Sequence, residues 1–370
     1  MSNCPEMKLR WEKVSQMENK EYELGALAEP LCLWYEKNKR SMPWREDASP
    51  YHVWLSEIML QQTRIEAALA YYERFTSRLP DVKSLAEVEE EELLKLWEGL
   101  GYYNRVRNLK KAARVVMERY DGKLPADYDL LLELPGIGSY TAGAIASIAY
   151  GIPAPAVDGN VLRVGMRFLN CEDDITRTPV RKRMERAVMK VIPEDCPGEF
   201  NQALMELGEV VCIPNGRPLC ERCPIQKFCQ GHQAGREMDL PKKVEKKERR
   251  VEKKTIFVFR QGDRIGIRRR PPKGLLAGMW EFPALEGYRN RIEMVEWLKQ
   301  RNLGDVALKQ MQGGKHVFSH VEWHMEGYEV LLPEEGAQDI VSGLVWCKKE
   351  ELENQYAIPV AFHIFLHQIL

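Results

Sequence analysis

The chain has 370 residues, 44% of them hydrophobic, and its 54 Lys and Arg against 55 Asp and Glu leave a formal net charge of −1. Such a chain can bury the cores of two or three domains, but its balanced charge excludes a global field drawing it to nucleic acid; a DNA-binding face must be local and offset by acid elsewhere, as in Glu87–Glu92. No apolar run approaches the roughly 18 residues of a membrane span, and Met1 to Glu23 is too polar for a signal peptide, so a soluble, cytoplasmic protein without membrane contact is expected.

In chain order, residues 1–24 are charged, lack a strong apolar period and read as a polar segment, frayed or adaptor-like. The spacing of Leu27, Leu31, Trp34 and Tyr35 predicts a helix over 24–37. A loop follows at Arg40–Arg45, held out of helix by Pro43. Its Trp44, between Arg40 and Arg45, suits a base and its phosphates, or else Trp44 simply anchors a surface loop. One long helix is predicted from about Pro50 to Phe75, with Glu57 amid apolar neighbours and Gln61 one turn on. Burial raises a carboxyl pKa towards neutrality, the condition for a general acid, although Glu57 at the edge of the stripe paired with Arg64 is the plainer alternative. Further helices are predicted at 93–97 and 105–120, joined by a loop whose two glycines bring Leu100 and Tyr102 to a tight place beside Arg105 and Arg107. An apolar-plus-aromatic wedge beside arginines suits the opening of a base stack; a simple connector is the other reading.

Residues 127–133 and 139–150 read as two helices around the hinge Pro135-Gly136-Ile137-Gly138. In such a helix-hairpin-helix, Gly136 and Gly138 let the backbone approach a phosphate, though an ordinary αα turn needs glycines too. Asp158 then lies at a bend just before another helix, whose dipole is expected to keep it ionised, with Asn160 two residues on. Helices over 177–192 and 199–211 follow, the latter carrying Gln202, whose amide can donate to and accept from a base edge or merely meet solvent. Then come Cys212, seven residues, Cys220, two residues, Cys223, five residues and Cys229, which take four of the chain's nine cysteines into one loop. A single Cys-x-x-Cys pair flanked by lone cysteines favours a cubane cluster over zinc and a metal site over a disulfide framework.

Residues 231–253 are highly charged and predict a linker. Beyond them the apolar period changes to two, predicting strands at 255–260 and 265–269, a further pair at 315–326 and 329–332 turning at Gly327, and helices near 290–301 and 359–368.

The stretch Leu134–Val164, together with Ser56–Thr63, resembles the helix-hairpin-helix DNA glycosylases of the endonuclease III superfamily and, within it, the MutY-type adenine glycosylases. Tyr140 is the discriminating position, since bifunctional members carry there a lysine that attacks the sugar and cuts the strand. Gly274–Pro283 looks like the opening of the Nudix-like domain of MutY proteins, but no acidic diphosphate-hydrolysing word follows, which implies recognition rather than hydrolysis. The fold implied is an all-α helix-hairpin-helix glycosylase domain with an iron–sulfur loop (25–230) and a smaller α/β Nudix-like domain (254–370). The resemblance implies a [4Fe-4S] cluster on Cys212, Cys220, Cys223 and Cys229, although the commonest family spacing has six residues between the first two ligands, which puts the path of Arg217 in doubt.

It further implies a monomeric, monofunctional enzyme that removes adenine opposite 8-oxoguanine or guanine from double-stranded DNA. Gln62, Leu100 and Tyr102 would part the strands, and adenine would enter a pocket near Trp44, Arg45, Glu57 and Gln202. Glu57 would protonate the base while Asp158, oriented by Tyr140 and Asn160, stabilises the sugar cation. Phe318, Ser319 and His320 resemble the loop that senses 8-oxoguanine, with Phe318 as core and His320 as a surface residue the plainer reading. A glycosylase/lyase and a nonenzymatic iron–sulfur DNA-binding protein are the rival classes.

Overall fold

Prolines and short polar breaks divide the first two-thirds of the chain into helices. The computed structural model describes residues 21–25, 27–244, 248–301, 303, 306–333 and 343–370; residues 1–20 of the expected polar segment, and part of the linker, lie outside them. The helices are α1 (Ala28–Asn38), α2 (Pro43–Glu46), α3 (Pro50–Leu60), α4 (Ile65–Arg78), α5 (Val82–Glu87), α6 (Glu90–Leu96), α7 (Asn104–Arg119), α8 (Tyr128–Leu132), α9 (Ser139–Ala144), α10 (Gly159–Phe168), α11 (Thr178–Met189), α12 (Pro197–Val210) and α13 (Gln230–Gln233). Helix α9 continues as a π-helix through Ile145–Ala149. Two expectations are corrected here. Pro43 opens α2 at its first turn, where a missing N–H costs nothing, instead of excluding helix. The long helix over 50–75 is broken after Leu60, because Gln62 takes a left-handed φ of +61° and ends the hydrogen-bond ladder.

Contacts divide the chain into two compact units, one from the described residues of 1–64, 81–86 and 108–245, the other from those of 65–80, 87–107 and 246–370. In the first, Leu27, Leu31 and Tyr35 recur every four residues and turn one face of α1 into a core shared with Val161, Leu162 and Met166 of α10 and Phe200, Leu204 and Leu207 of α12. Tyr22 and Leu24 join this core, and the Tyr22 hydroxyl donates to Asp173 Oδ2 at 2.6 Å, so the end of the expected frayed segment is packed.

In the second unit, β1 (Arg250–Gln261), β2 (Arg264–Arg269), β3 (Trp280–Glu281), β4 (Ala284–Glu286), β5 (Ala307–Val317), β6 (Val321–Leu332) and β7 (Val345–Lys348) form one mixed sheet with the path β3-β2-β1-β6-β5. β1 and β6 run parallel, and the other pairings are antiparallel. Both faces of β1 are covered: Ile256 and Val258 enter one core with Phe362 and Phe365, while Phe257 and Phe259 enter another with Met294 and Leu298 of α14 (Arg291–Lys299).

The expected turn at Gly327 is also corrected. β6 runs through that residue, and the hairpin reverses at 318–320, where Phe318 N–H donates to Val321 O at 2.8 Å. Gly327 is glycine because a Cβ there would lie 2.4 Å from Cε1 of the buried Phe365 ring. Gly327→Ala is therefore expected to destabilise the protein by about 1–3 kcal/mol through overpacking. Denaturant unfolding within about 0.5 kcal/mol of wild type would refute this account of the position.

Candidate active site and cysteine loop

Glu57 sits on α3 with Val53, Trp54, Leu55, Ile58 and Met59 all buried around it. Burial is the main cause that raises its pKa to about 7, with the charge of Asp158 adding to it, against the hydrogen bond from Tyr140 and the more distant Arg45. The Tyr140 hydroxyl, on α9, donates to Glu57 Oε2 and also lies 3.6 Å from Met205 Sδ. Burial first, then the neighbouring carboxylates, keep the phenol proton on Tyr140 well past its usual range.

Asp158 is the N-cap of α10, Oδ1 accepting from Val161 N–H at 2.8 Å and Oδ2 from Asn160 Nδ2 at 2.9 Å. Burial raises its pKa, while the N–H donors of the helix start and Arg163 work against that rise and favour the ionised form expected there. Two carboxyls with raised pKa values therefore share one buried region.

Beside them, α12 presents Gln202 and Glu206 one turn apart. Tyr35 donates to Gln202 Oε1 at 3.1 Å. Glu206 is 1% exposed and binds Arg40 Nε at 2.5 Å and Arg45 Nη2 at 2.8 Å. Burial alone would raise Glu206, but the two guanidinium groups win and hold it below its ordinary value. Arg45 also donates to Arg40 O at 2.9 Å and lies over the Tyr35 ring at 5.5 Å. Trp44 is buried, as the anchoring alternative foresaw. Glu206 escaped sequence reasoning, although a carboxylate four residues after Gln202 in an apolar helix was the available signal; Arg40, expected to suit a phosphate, is paired with it.

In the hairpin, Gly136 has φ +81°, and a Cβ there would lie 2.7 Å from Asn108 Cβ. The Cβ position of Gly138 faces open space, leaving room for a ligand at the start of α9. Gln62 is exposed in its left-handed conformation.

The four cysteines line one cavity together with Arg167, Phe168, Leu207, Pro218 and Ile225. Burial, then the charges of the neighbouring sulfurs, push Cys223 up to about 12. Four thiolates crowded this closely repel one another, a repulsion that a bound cationic centre relieves, so the residues fit a metal cluster. Cys220, His232 and Glu237 also place ligand atoms within 4.8 Å of one another at the rim.

Two buried arginines of α10 hold this loop, and Arg163 connects it to Asp158 through Asn160. Arg163 Nη2 donates to Asn160 Oδ1 at 2.7 Å and its Nε to Cys212 O at 2.8 Å. Arg167 Nη1 reaches Cys212 Sγ at 3.2 Å and Ile213 O at 2.9 Å. Neither arginine was picked out from the sequence; two arginines four apart in an otherwise apolar helix were the signal.

In the other unit, Leu100 is buried and does not stand out as a wedge, whereas Tyr102 is 52% exposed with φ +47°. The guanidinium of Arg105 lies 5.5 Å from the Tyr102 ring and 5.4 Å from that of Trp97. Phe318 is half-buried, edge-on to Trp323 with centroids 4.9 Å apart, while Ser319 and His320 are exposed at the hairpin turn. The plainer readings of Phe318 and His320 are thus partly met.

Residues 55–192 match the HhH-GPD superfamily of base excision DNA repair proteins, and residues 255–368 match the NUDIX domain. The mouse (Mus musculus) adenine DNA glycosylase is 33% identical over 90% of this chain and 76% of its own. That of Buchnera aphidicola subsp. Schizaphis graminum is 34% identical over 79% of this chain and 84% of its own. Among solved structures, a thermostable thymine-DNA glycosylase superposes with a TM-score of 0.52 at 26% identity, covering 56% of this chain and 95% of that one. No helix among the described residues is long and apolar enough to cross a membrane. Buried carboxyls beside a helix-hairpin-helix, a cysteine cage and a Nudix-type sheet, with identity of this extent, establish that the chain belongs to the adenine DNA glycosylases of base excision repair.

Proposed function

We propose that this base excision repair enzyme removes adenine mispaired with 8-oxoguanine or guanine, acting as a monofunctional glycosylase and a monomer on double-stranded DNA in the cytoplasm. The observation that carries the reading is the buried pair Glu57 and Asp158, bridged to the hairpin by Tyr140. A carboxyl with a pKa of about 7 is half protonated at neutral pH and is poised as a general acid.

Tyr102 and Gln62 hold the strands apart, and the adenine is extruded towards Trp44, Arg45, Glu57 and Gln202. Gly136 and Gly138 seat the backbone without reading bases. Glu57 gives its proton to adenine N7; the C1′–N9 bond breaks, and its electron pair leaves with the now neutral base. Positive charge develops on the sugar, and the Asp158 carboxylate stabilises it, aligned by Val161 N–H and Asn160. Water then adds at C1′ and gives up a proton, leaving an abasic site. Tyr140 cannot form the imine that strand cleavage requires, and this favours hydrolysis over the lyase reading. We assign this chemistry to residues 25–230 and recognition to 254–370; the 231–253 segment between them, expected as a linker, continues α13 at its start and enters β1 from Arg250.

Glu57→Gln is expected to retain duplex binding and to lose excision by several powers of ten, since it keeps the pocket shape and removes the acid. Single-turnover rates near wild type would take Glu57 out of the mechanism. In the wild type the acid form of Glu57 disappears as pH rises, so the rate should fall about tenfold per pH unit above roughly pH 7. A flat profile there would contradict that assignment.

The cysteine cage supports a [4Fe-4S] cluster held by Cys212, Cys220, Cys223 and Cys229, with Arg167 donating to a ligand sulfur. When bound, such a cluster orders the loop on which Arg163 leans, and no step of the excision passes through it. The purified protein should be brown with about four irons per chain; one zinc and no iron would refute the cluster.

The lesion opposite adenine is read by Ser319 and His320 with Phe318 packed behind them. In 8-oxoguanine, N7 becomes an N–H donor and O8 is a new acceptor, and both features suit a hydroxyl at an exposed turn. Ser319→Ala with His320→Ala should lower the ratio of A:8-oxoguanine to A:G excision rates by roughly 1–3 kcal/mol, the scale of one base contact. Equal losses on both duplexes would place the sensor elsewhere.

A further inference from the structure

The strap 153–158, which leads into Asp158, is neither helix nor strand, and its sequence explains why. Pro153 and Pro155 lack an N–H and hold it extended. Ala154, Ala156 and Val157 are nevertheless buried, so the backbone polar groups of the strap need partners from outside it. Asn201 of α12, 0% exposed, supplies two of them. Its Nδ2 donates to Ala154 O at 2.8 Å, and its Oδ1 accepts from Ala156 N–H at 3.2 Å. The other Nδ2 proton goes to Ser147 Oγ at 2.9 Å, and that hydroxyl donates to Gly143 O at 2.7 Å. Ser147 lies in the π-helical turn that continues α9, the helix carrying Tyr140. The strap crosses α9 at Gly143, one turn after Tyr140, where a Cβ would lie 2.1 Å from Pro155 O. Further along, Arg181 Nη1 donates to Val157 O at 2.6 Å. All these residues belong to one compact unit.

We propose that Asn201 is a positioning residue for the Asp158 carboxylate, holding the strap against α9 so that the carboxylate meets the sugar from a fixed place relative to Tyr140 and Glu57. This rests on the reading of Asp158 as the group that stabilises the sugar cation. The helix start fixes Asp158 from one side, through Val161 N–H and Asn160. Those bonds set the carboxylate in the frame of α10, whereas Glu57 and Tyr140 belong to α3 and α9. The Asn201 side chain ties the frames together, bound to the strap at two residues and to α9 through Ser147. An amide suits this place because it carries two donors and an acceptor in one plane, and all three functions are in use. What a carboxylate does for a developing cation depends on distance and direction, and a misplacement of about 1 Å costs on the order of a hundredfold in rate. A strap released at Ala154 and Ala156 keeps its helix cap and loses that register.

The readout is the preference for a cationic over a neutral abasic analogue, which reports the carboxylate rather than the fold. Dissociation constants are measured for two duplexes with 8-oxoguanine in the opposite strand. One carries a pyrrolidine nucleotide, protonated at neutral pH where the sugar cation develops, and the other a tetrahydrofuran nucleotide of the same shape. Wild type, Asn201→Ala, Asp158→Asn and the double variant are compared by the ratio of the two constants, so that any loss common to both duplexes cancels. The expected preference for the cation is about tenfold lower in Asn201→Ala, also lower in Asp158→Asn, and no lower in the double variant than in Asp158→Asn. A preference within about twofold of wild type for Asn201→Ala, with a reduced one for Asp158→Asn, overturns the positioning role and leaves the reading of Asp158 standing. Multiplying losses in the double variant overturn it as well, because the two residues would then act independently. An unchanged preference in Asp158→Asn defeats the reading of Asp158 and the inference with it. Should Asn201→Ala fail to fold, Ser147→Ala decides, since it frees the amide from α9 alone: a preference about fivefold lower supports the proposal, and one within about twofold of wild type overturns it.

Discussion

Two carboxyls, those of Glu57 and Asp158, are kept out of water in one buried region, and the proposed chemistry depends on it. Desolvation disfavours the charge on each, and the charge on one disfavours the charge on the other, so the pair resists holding two negative charges at once. The fold resolves this asymmetrically. Asp158 receives two N–H donors at a helix start, and these favour its charged form. Glu57, on a helix among apolar neighbours, receives the phenol of Tyr140, a donor that favours the carboxylate but is outweighed by burial. The environment thereby favours the proton on Glu57 and the charge on Asp158, as the proposed roles require.

The same region shows how far packing, rather than local sequence, sets function. Arg163 holds Asn160 at one end and the Cys212 carbonyl at the other, so the side chain that aligns Asp158 and the loop that holds the cysteines share one support. The cysteine loop is joined to the Asp158 carboxylate through three hydrogen bonds. Arg40, Arg45 and Glu206 do a parallel job at the pocket wall, where a buried carboxylate is tolerated only because two guanidinium groups meet it.

Much of this was legible in the sequence. Glu57 was visible as a carboxylate out of place in an apolar run, Asp158 as a capping residue before a helix, and the four cysteines by their spacing. The misreadings share a cause, which is that local periodicity does not report long-range neighbours. Gln62 breaks a helix that its apolar pattern continues, and Gly327 was taken for a turn because nothing in the neighbouring sequence shows the Phe365 ring lying against it. Pro43 was read as a breaker when the first turn of a helix accepts it. Arg163, Arg167 and Glu206 were passed over because a charged residue on a helix is ordinarily solvated, and only the packed structure shows these to be buried.

Residues 65–80 and 87–107 lie within the stretch that matches the glycosylase superfamily, yet by contact they belong with the carboxy-terminal sheet. Ancestry and mechanics therefore divide this protein along different lines. A recombination event that exchanged only the sheet domain between relatives would strip Glu91 and Glu98 of their partners, Trp280 and the Ile358 N–H, and offer them a foreign surface. Successful inheritance of a new sheet domain would require the helical insert to come with it, or to change in step. Substitutions in 87–107 should be judged against sheet residues far along the chain, as the pairing of Glu91 with Trp280, 189 positions away, already illustrates.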